Sequence, residues 1–202
     1  MLNLIKCGIG NIGSIKNALH AIGCVPNIIE KPSDINHNFK KIILPGVGSF
    51  DSFINNLKQK KLFDEIKKLV VIDKYQILGI CVGMQSFFKS SEEGAEEGLD
   101  IIKGNLIKFD HKKKLKIPHM GWNDLKILNS KNLLNNLPKT RFYFAHSYYV
   151  TNVQDNNVLS NTEHGTLFPS CINYKNIYGV QFHPEKSFFQ GQKILKNFID
   201  LC

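Results

Sequence analysis

The chain has 202 residues, an apolar fraction of 43% and a formal net charge of +9. This length suits one compact domain with a sizeable core, and no stretch approaches the ~20 apolar residues that span a bilayer. The charge does not point to nucleic acid: it is nearly all scattered lysine, and Arg141 is the only arginine, the residue favoured for bidentate contacts to guanine and phosphate.

The opening segment, "MLNLIKCGIGNIG", lacks the basic stretch and long apolar run of a signal peptide, so a cytoplasmic protein is expected. The five cysteines, Cys7, Cys24, Cys81, Cys171 and Cys202, form no CxxC pair. Their odd number argues against a disulfide framework, and the missing pairs argue against a zinc ribbon. Reduced thiols are expected, some of them plain core residues.

In chain order, "LNLIK" (2–6) predicts a short apolar strand. "GIGNIGSIKNALHAIG" (8–23) begins glycine-rich and then shows helical spacing through Ile15, Leu19 and Ile22. "CVPNIIE" (24–30) reads as a second strand, and "KKIILPGVGSF" (40–50) as a buried strand that stops at Pro45-Gly46. Helical segments follow through Leu57 and from Leu62 to Leu69. "YQILGI" (75–80) is another strand, and "VGMQSFFKS" (82–90) reads as the next helix. Strands alternating with helices predict a parallel sheet covered on both faces.

The pattern changes between residues 104 and 182. Short strand-like runs dominate there: "GNLIKF", "DLKIL", "RFYFAHSYYV", "SCINY" and "IYGVQF". Polar turns separate them. "HKKKLK" (111–116) reads as a solvated loop or hairpin, and "GQKILKNFIDL" (191–201) as a closing amphipathic helix. The expected class is α/β: an open, mostly parallel sheet with flanking helices and an added antiparallel strand region, in one domain over residues 1–202.

Three segments carry candidate chemistry. In "LGICVGMQ", Cys81 lies between Gly79 and Gly83 at a strand-to-helix corner. Ligands of open parallel sheets bind beyond the carboxyl ends of the strands. A sharp corner exposes a nucleophile, small neighbours relieve crowding, and a helix N-terminus favours thiolate. The Val82 N–H is a candidate oxyanion donor. The same pattern also fits a buried core cysteine beside a tight turn. In "GVQFHPEKS" (179–187), a strand delivers His183, Pro184 and Glu185. An imidazole can serve as base toward a thiol while a carboxylate orients it. Alone, His183 could be an ordinary strand-end histidine; with Cys81, a Cys-His-Glu triad is the better reading. In "LPGVGSF" (44–50), Gly46 and Gly48 end another strand, either to offer backbone amides or as a plain glycine turn. It is not a P-loop, because the Gly-Lys-Ser/Thr ending is missing. "GIGNIG" (8–13) matches G-x-G-x-x-G weakly, with Glu30 the one candidate acidic partner.

Together, "PGVGSF", "LGICVGMQ", "SSEEGAEEGL", "IPHMGWN", "YFAHSYY" and "GVQFHPEKS" resemble class I (triad) glutamine amidotransferases, and more narrowly the glutaminase subunit of imidazole glycerol phosphate synthase. The resemblance runs from the first strand to the last helix. It implies a flavodoxin-like open sheet. It also implies Cys81 as nucleophile, His183 as acid and base, and Glu185 as its orienter. Val82 with Gly46, Val47 and Gly48 would frame the oxyanion. Gln85, Glu93, His146, Ser147 and Tyr148 match positions around substrate glutamine; Asn11 and Lys186 match positions facing a partner subunit. That partner is a cyclase with a (β/α)8 barrel, which receives ammonia and makes imidazole glycerol phosphate and an aminoimidazole carboxamide ribotide. No metal or organic cofactor is implied. The family usually opens with Asp-Tyr-Gly-x-Gly-Asn, whereas this chain has "KCGIGN", with Lys6 and Cys7 in the first two places. The departure leaves room for a paralogue supplying ammonia to a surface-sugar amidinating enzyme. A regulatory subunit without catalysis, or a cysteine hydrolase on a similar sheet, would fit parts of the same pattern.

Overall fold

The structure is a computed structural model that describes residues 1–7, 12–110 and 115–202. An eight-stranded sheet forms its centre. The first half supplies β1 (Asn3–Ile5), α1 (Ile12–Ala21), β2 (Asn27–Ile29), β3 (Lys41–Gly46), α2 (Phe50–Gln59), α3 (Phe63–Val71), β4 (Gln76–Cys81) and the single-turn α4 (Val82–Gln85). The second half supplies β5 (Asn105–Lys108), β6 (His119–Asp124), β7 (Lys126–Ile127), β8 (Arg141–His146), β9 (Tyr148–Thr151), β10 (Val158–Glu163), β11 (Leu167–Tyr174), β12 (Ile177–Val180) and α5 (Phe188–Leu201).

The strand order is β2-β1-β3-β4-β12-β11-β10-β7. The ladders from β2 to β12 are parallel, and those from β12 to β7 are antiparallel. Parallel strands buried on both faces need near-continuous apolar runs. β4 meets that need: Ile77, Leu78 and Ile80 are all buried. The amphipathic helices α2, α3 and α5 turn Phe53, Leu57, Leu69, Ile194 and Phe198 inward. Two further pairs, β5 with β9 and β6 with β8, lie outside the main sheet.

Several expectations need adjustment. The run 82–90 is not one helix; α4 ends at Gln85. The carbonyls of Ser86 and Phe87 are taken by the N–H groups of Leu99 and Ile101, and that of Lys89 by Gly98, so a returning segment replaces the helix ladder. "RFYFAHSYYV" is two strands, because β8 pairs with β6 and β9 with β5. β6 and β10 lie in stretches where no strand is read from the sequence. Of "HKKKLK", residues 111–114 lie outside the described residues, as do residues 8–11 with most of "GIGNIG" and Asn11.

Candidate active site

β3, β4 and β12 are neighbours, and Gly46 and Cys81 are register partners at the ends of β3 and β4. The sheet therefore brings two of the singled-out segments together directly, and β12 delivers the third beside them. At Cys81 the backbone has φ 53° and ψ −114°, a sparsely populated region for a residue with a side chain. Such strain costs roughly 1–3 kcal/mol and persists only where packing enforces it. Gly83 explains part of that enforcement: a Cβ there would run into the Leu44 carbonyl. At Gly79 a Cβ would sit 2.6 Å from the Phe87 ring. The two glycines let α4 fold back tightly over β3 and β4. Because α4 is one turn long, a helix N-terminus supplies less to Cys81 than the expected long helix would.

His183 follows β12. Its N–H donates to the Tyr143 carbonyl at 2.8 Å, and Ser187 Oγ donates to the His183 carbonyl at 2.6 Å. Ser187 Oγ also accepts the Tyr143 N–H at 3.0 Å, which ties this corner to β8. Glu185 Oε1 accepts from His183 Nδ1 at 2.8 Å, with side chains only 5% and 3% exposed. Burial disfavours charge on His183, but the negative charge of a Cys81 thiolate, a hydrogen bond to Cys81 and the Glu185 carboxylate outweigh it. The imidazole pKa is pushed up to about 10. The three residues thus form one electrostatic unit with the imidazolium in the middle.

This unit borders a cavity of about 290 Å³. Val47, Gly48, Cys81, Val82, Gln85, Glu93, His146, Ser147, Tyr148, His183 and Lys186 all line it. Gly46 lies behind the wall, where an added Cβ would strike the Gly83 nitrogen. Glu185 lies behind His183. Glu93 accepts the Phe50 N–H at 2.8 Å; burial, partly offset by that bond, raises its carboxyl pKa. His146 is a wall residue whose ring nitrogens are both engaged, Nδ1 with the Tyr148 carbonyl at 2.8 Å and Nε2 with His119 at 2.9 Å. Burial pushes its pKa down to about 3, so the ring is neutral.

Sequence reasoning did not single out Pro118, Met120 and Ala145, which also line the cavity. It also passed over Gln181, whose Nε2 lies 3.7 Å from Cys81 Sγ. A glutamine inside an otherwise apolar buried strand was the available signal, since a buried amide must find partners. At the family's variant position, Cys7 is buried and donates to the Phe53 carbonyl at 3.8 Å. Burial, partly opposed by Lys60, pushes its pKa up to about 11, so Cys7 is a packed thiol and not a second nucleophile. Lys6 pairs with Glu30 at 2.8 Å.

Among known proteins, the family model for glutamine amidotransferase class-I matches residues 3–201. The chain is 48% identical over 200 residues, 98% of each chain, to the imidazole glycerol phosphate synthase subunit HisH 2 of Methanococcus maripaludis. It is 42% identical over 205 residues, the full length of both, to the subunit HisH 1 of Campylobacter jejuni. A crystal structure of a glutamine amidotransferase superposes with a TM-score of 0.77 at 16% identity, over 99% of this chain and 98% of the other, which speaks for the fold alone. With the family model matching nearly the whole length, and relatives of this identity spanning it from end to end, the chain belongs to the class-I glutamine amidotransferases, in the group that contains the HisH subunits.

Proposed function

We propose that residues 1–202 form one cytoplasmic glutaminase unit that hydrolyses glutamine to glutamate and ammonia for histidine biosynthesis. Its ammonia passes to a cyclase subunit with a (β/α)8 barrel, as one half of a heterodimer. The observation that carries this reading is the buried Cys81-His183-Glu185 unit opening on a cavity of amino-acid size. The names of the full-length relatives support the pathway. Five free thiols suit a reducing compartment.

In this reading the Cys81 thiolate attacks the side-chain amide carbon of glutamine, and the carbonyl electrons move onto oxygen. The Val82 N–H and the Gly46–Gly48 backbone receive that oxyanion; one such donor contributes about 3 kcal/mol to the transition state. The His183 imidazolium protonates the departing nitrogen, which leaves as ammonia and completes a thioester on Cys81. Neutral His183 then takes a proton from water. The resulting hydroxide forms the new C–O bond, and the C–S electron pair returns to sulfur. Both N–H groups of Gln85 are committed, to the Tyr148 carbonyl and to Gln181, so its oxygen is the atom left to accept the substrate ammonium. Glu93 lines the same cavity and adds negative charge when ionised. Ser147 and Tyr148 supply the opposing wall, and His146 holds the Tyr148 carbonyl.

The partner surface is proposed around the cavity mouth. Met120 is 64% exposed and Phe188 71% exposed, and Trp122 stacks on Phe188 at 5.3 Å between centroids. Lys186 lines both the cavity and a neighbouring groove that includes Phe188. A patch of large apolar side chains beside a charged one marks a protein interface. Asn11 belongs to the same proposal from the sequence alone.

A second reading keeps the same chemistry and rests on the chain start: with Lys6 and Cys7 in place of the family's Asp-Tyr, the ammonia goes instead to a surface-sugar amidinating synthase. The deciding experiment measures glutamate release alone, with the histidine-pathway cyclase plus its nucleotide ligand, and with the sugar-modifying synthase. Strong stimulation by the cyclase supports the first reading; stimulation by the other synthase alone replaces it.

A further inference from the structure

Cys81 Sγ faces a second side chain besides His183. Gln181, fully buried one residue past β12, places its Nε2 3.7 Å from the sulfur. Its backbone is held by donation to the Ser170 carbonyl at 2.9 Å. A side-chain amide can turn either its oxygen or its nitrogen toward a neighbour, and only its other partners decide which.

Those partners decide it here. Gln85 Nε2 lies 3.1 Å from the Tyr148 carbonyl, and a carbonyl can only accept. The nitrogen of Gln85 must therefore face that carbonyl. Its second N–H points at the Gln181 amide, 3.1 Å away, and requires an oxygen there. With its oxygen turned to Gln85, Gln181 presents its N–H to Cys81.

The other side of the Tyr148 carbonyl is equally determined. His146 Nδ1 donates to it at 2.8 Å, so His146 Nε2 is an acceptor and takes the proton of His119 Nδ1 at 2.9 Å. His119 Nε2 then accepts from Asn123 Nδ2 at 3.1 Å, and the same Asn123 nitrogen donates to the Glu163 carbonyl at 2.9 Å. The chain is anchored on backbone carbonyls at Tyr148 and Glu163, and every donor direction between them agrees. Both rings are neutral in it; an added proton would set two donors face to face.

We propose that Gln181 is an N–H donor to the Cys81 sulfur, held in that orientation by the Tyr148 carbonyl through Gln85. The proposal deepens the glutaminase reading and rests on it. The donor favours sulfur when it is negative, which occurs twice in the cycle. It stabilises the attacking thiolate before the C–S bond forms. It stabilises the leaving thiolate when hydroxide attacks the thioester and the C–S electron pair returns to sulfur. His183 manages the protons in both steps; Gln181 keeps its own.

The test is the pH profile of Cys81 alkylation by iodoacetamide in the unsubstituted chain and in Gln181→Met, which keeps length and loses the donor. A hydrogen bond to a charged group corresponds to a rise in the alkylation midpoint of about 1–2 pH units on its loss. Glutaminase kcat with the cyclase present should fall about tenfold or more, with KM changed much less. An unchanged midpoint together with an unchanged kcat overturns the proposal, because a purely structural glutamine would alter stability and not thiol ionisation. If Gln181→Met does not fold, the native side chain is read directly. The 15N-labelled Gln181 amide protons should shift between the unsubstituted chain and Cys81→Ala, and coincident resonances overturn the proposal. The glutaminase reading fails separately, by absence of glutamate release from the unsubstituted chain under the same conditions.

Discussion

His183 and Glu185 form a 2.8 Å hydrogen bond between two side chains almost wholly withdrawn from water. Burial alone would make His183 harder to protonate, yet its pKa is pushed up to about 10 because Cys81 and Glu185 both favour the cation. In Cys81→Ala the thiolate charge and its hydrogen bond disappear, and burial is opposed by Glu185 alone. The His183 pKa should then drop, read by 15N titration of the imidazole. A midpoint that stays near 10 would show that the thiol does not hold the proton there.

The same shift predicts how stability varies with alkali. The folded pKa of His183 lies above the ordinary histidine value of about 6.5, so its contribution is full below that value. It is lost as pH rises through about 10. Urea midpoints should fall between pH ~8.5, above which the unfolded thiol has also lost its proton, and pH ~10, and the fall should be smaller in Cys81→Ala. Equal slopes in the two chains would contradict the assignment.

His119 and His146 act with the opposite sign. Burial, with smaller repulsion from His164, lowers His119 to about 4. For His146, burial opposed by the Tyr148 carbonyl leaves a pKa of about 3. The unfolded chain takes up these protons near pH ~6.5 and the folded chain does not. Stability should therefore decline as pH falls from about 6.5 toward 4. His119→Gln should show a shallower decline in denaturation experiments at pH ~7 and ~5, and an identical decline would rule out the buried pair as its source.

Cys81→Ala should remove glutamine-dependent synthesis by at least about 10³-fold, the scale seen when a nucleophile is deleted, while ammonia-dependent synthesis by the partner persists. His183→Ala should behave alike, and Glu185→Ala more mildly. Retained glutamine use in Cys81→Ala would exclude Cys81 as the nucleophile.

Gly83→Ala probes the corner itself. The new methyl would overlap the Leu44 carbonyl, backbone that cannot swing aside. Overpacking of this kind costs about 1–3 kcal/mol, which urea denaturation would detect. Glutaminase activity should fall further than stability, because the shift passes straight into Cys81. Full stability and activity would mean that the close approach is dispensable.

The order of elements from β1 to β4, the parallel character of that half and the segments around Cys81, Gly46 and His183 were legible in the residues alone. Each depends on local physics: apolar runs at strand length, glycines at tight corners, a proline beside a histidine. The partition of 82–90 was not legible, because Ser86, Phe87 and Lys89 give their carbonyls to residues 98–101, a contact no local pattern announces. The split of residues 141–150 into β8 and β9 was hidden for the same reason, since different partner strands impose it.

The site divides along that line. Residue types and spacing were enough to nominate Cys81, His183 and Glu185, since thiol, imidazole and carboxylate chemistry belongs to the side chains. The strained backbone at Cys81, the charge on His183 and the direction of the Gln181 amide depend on groups far apart in the chain, such as Leu44 and Gly83, Gln85 and Tyr148, or Cys81 and His183. Burial and hydrogen-bond polarity are properties of the assembled neighbourhood, and only the folded sheet brings those neighbours together.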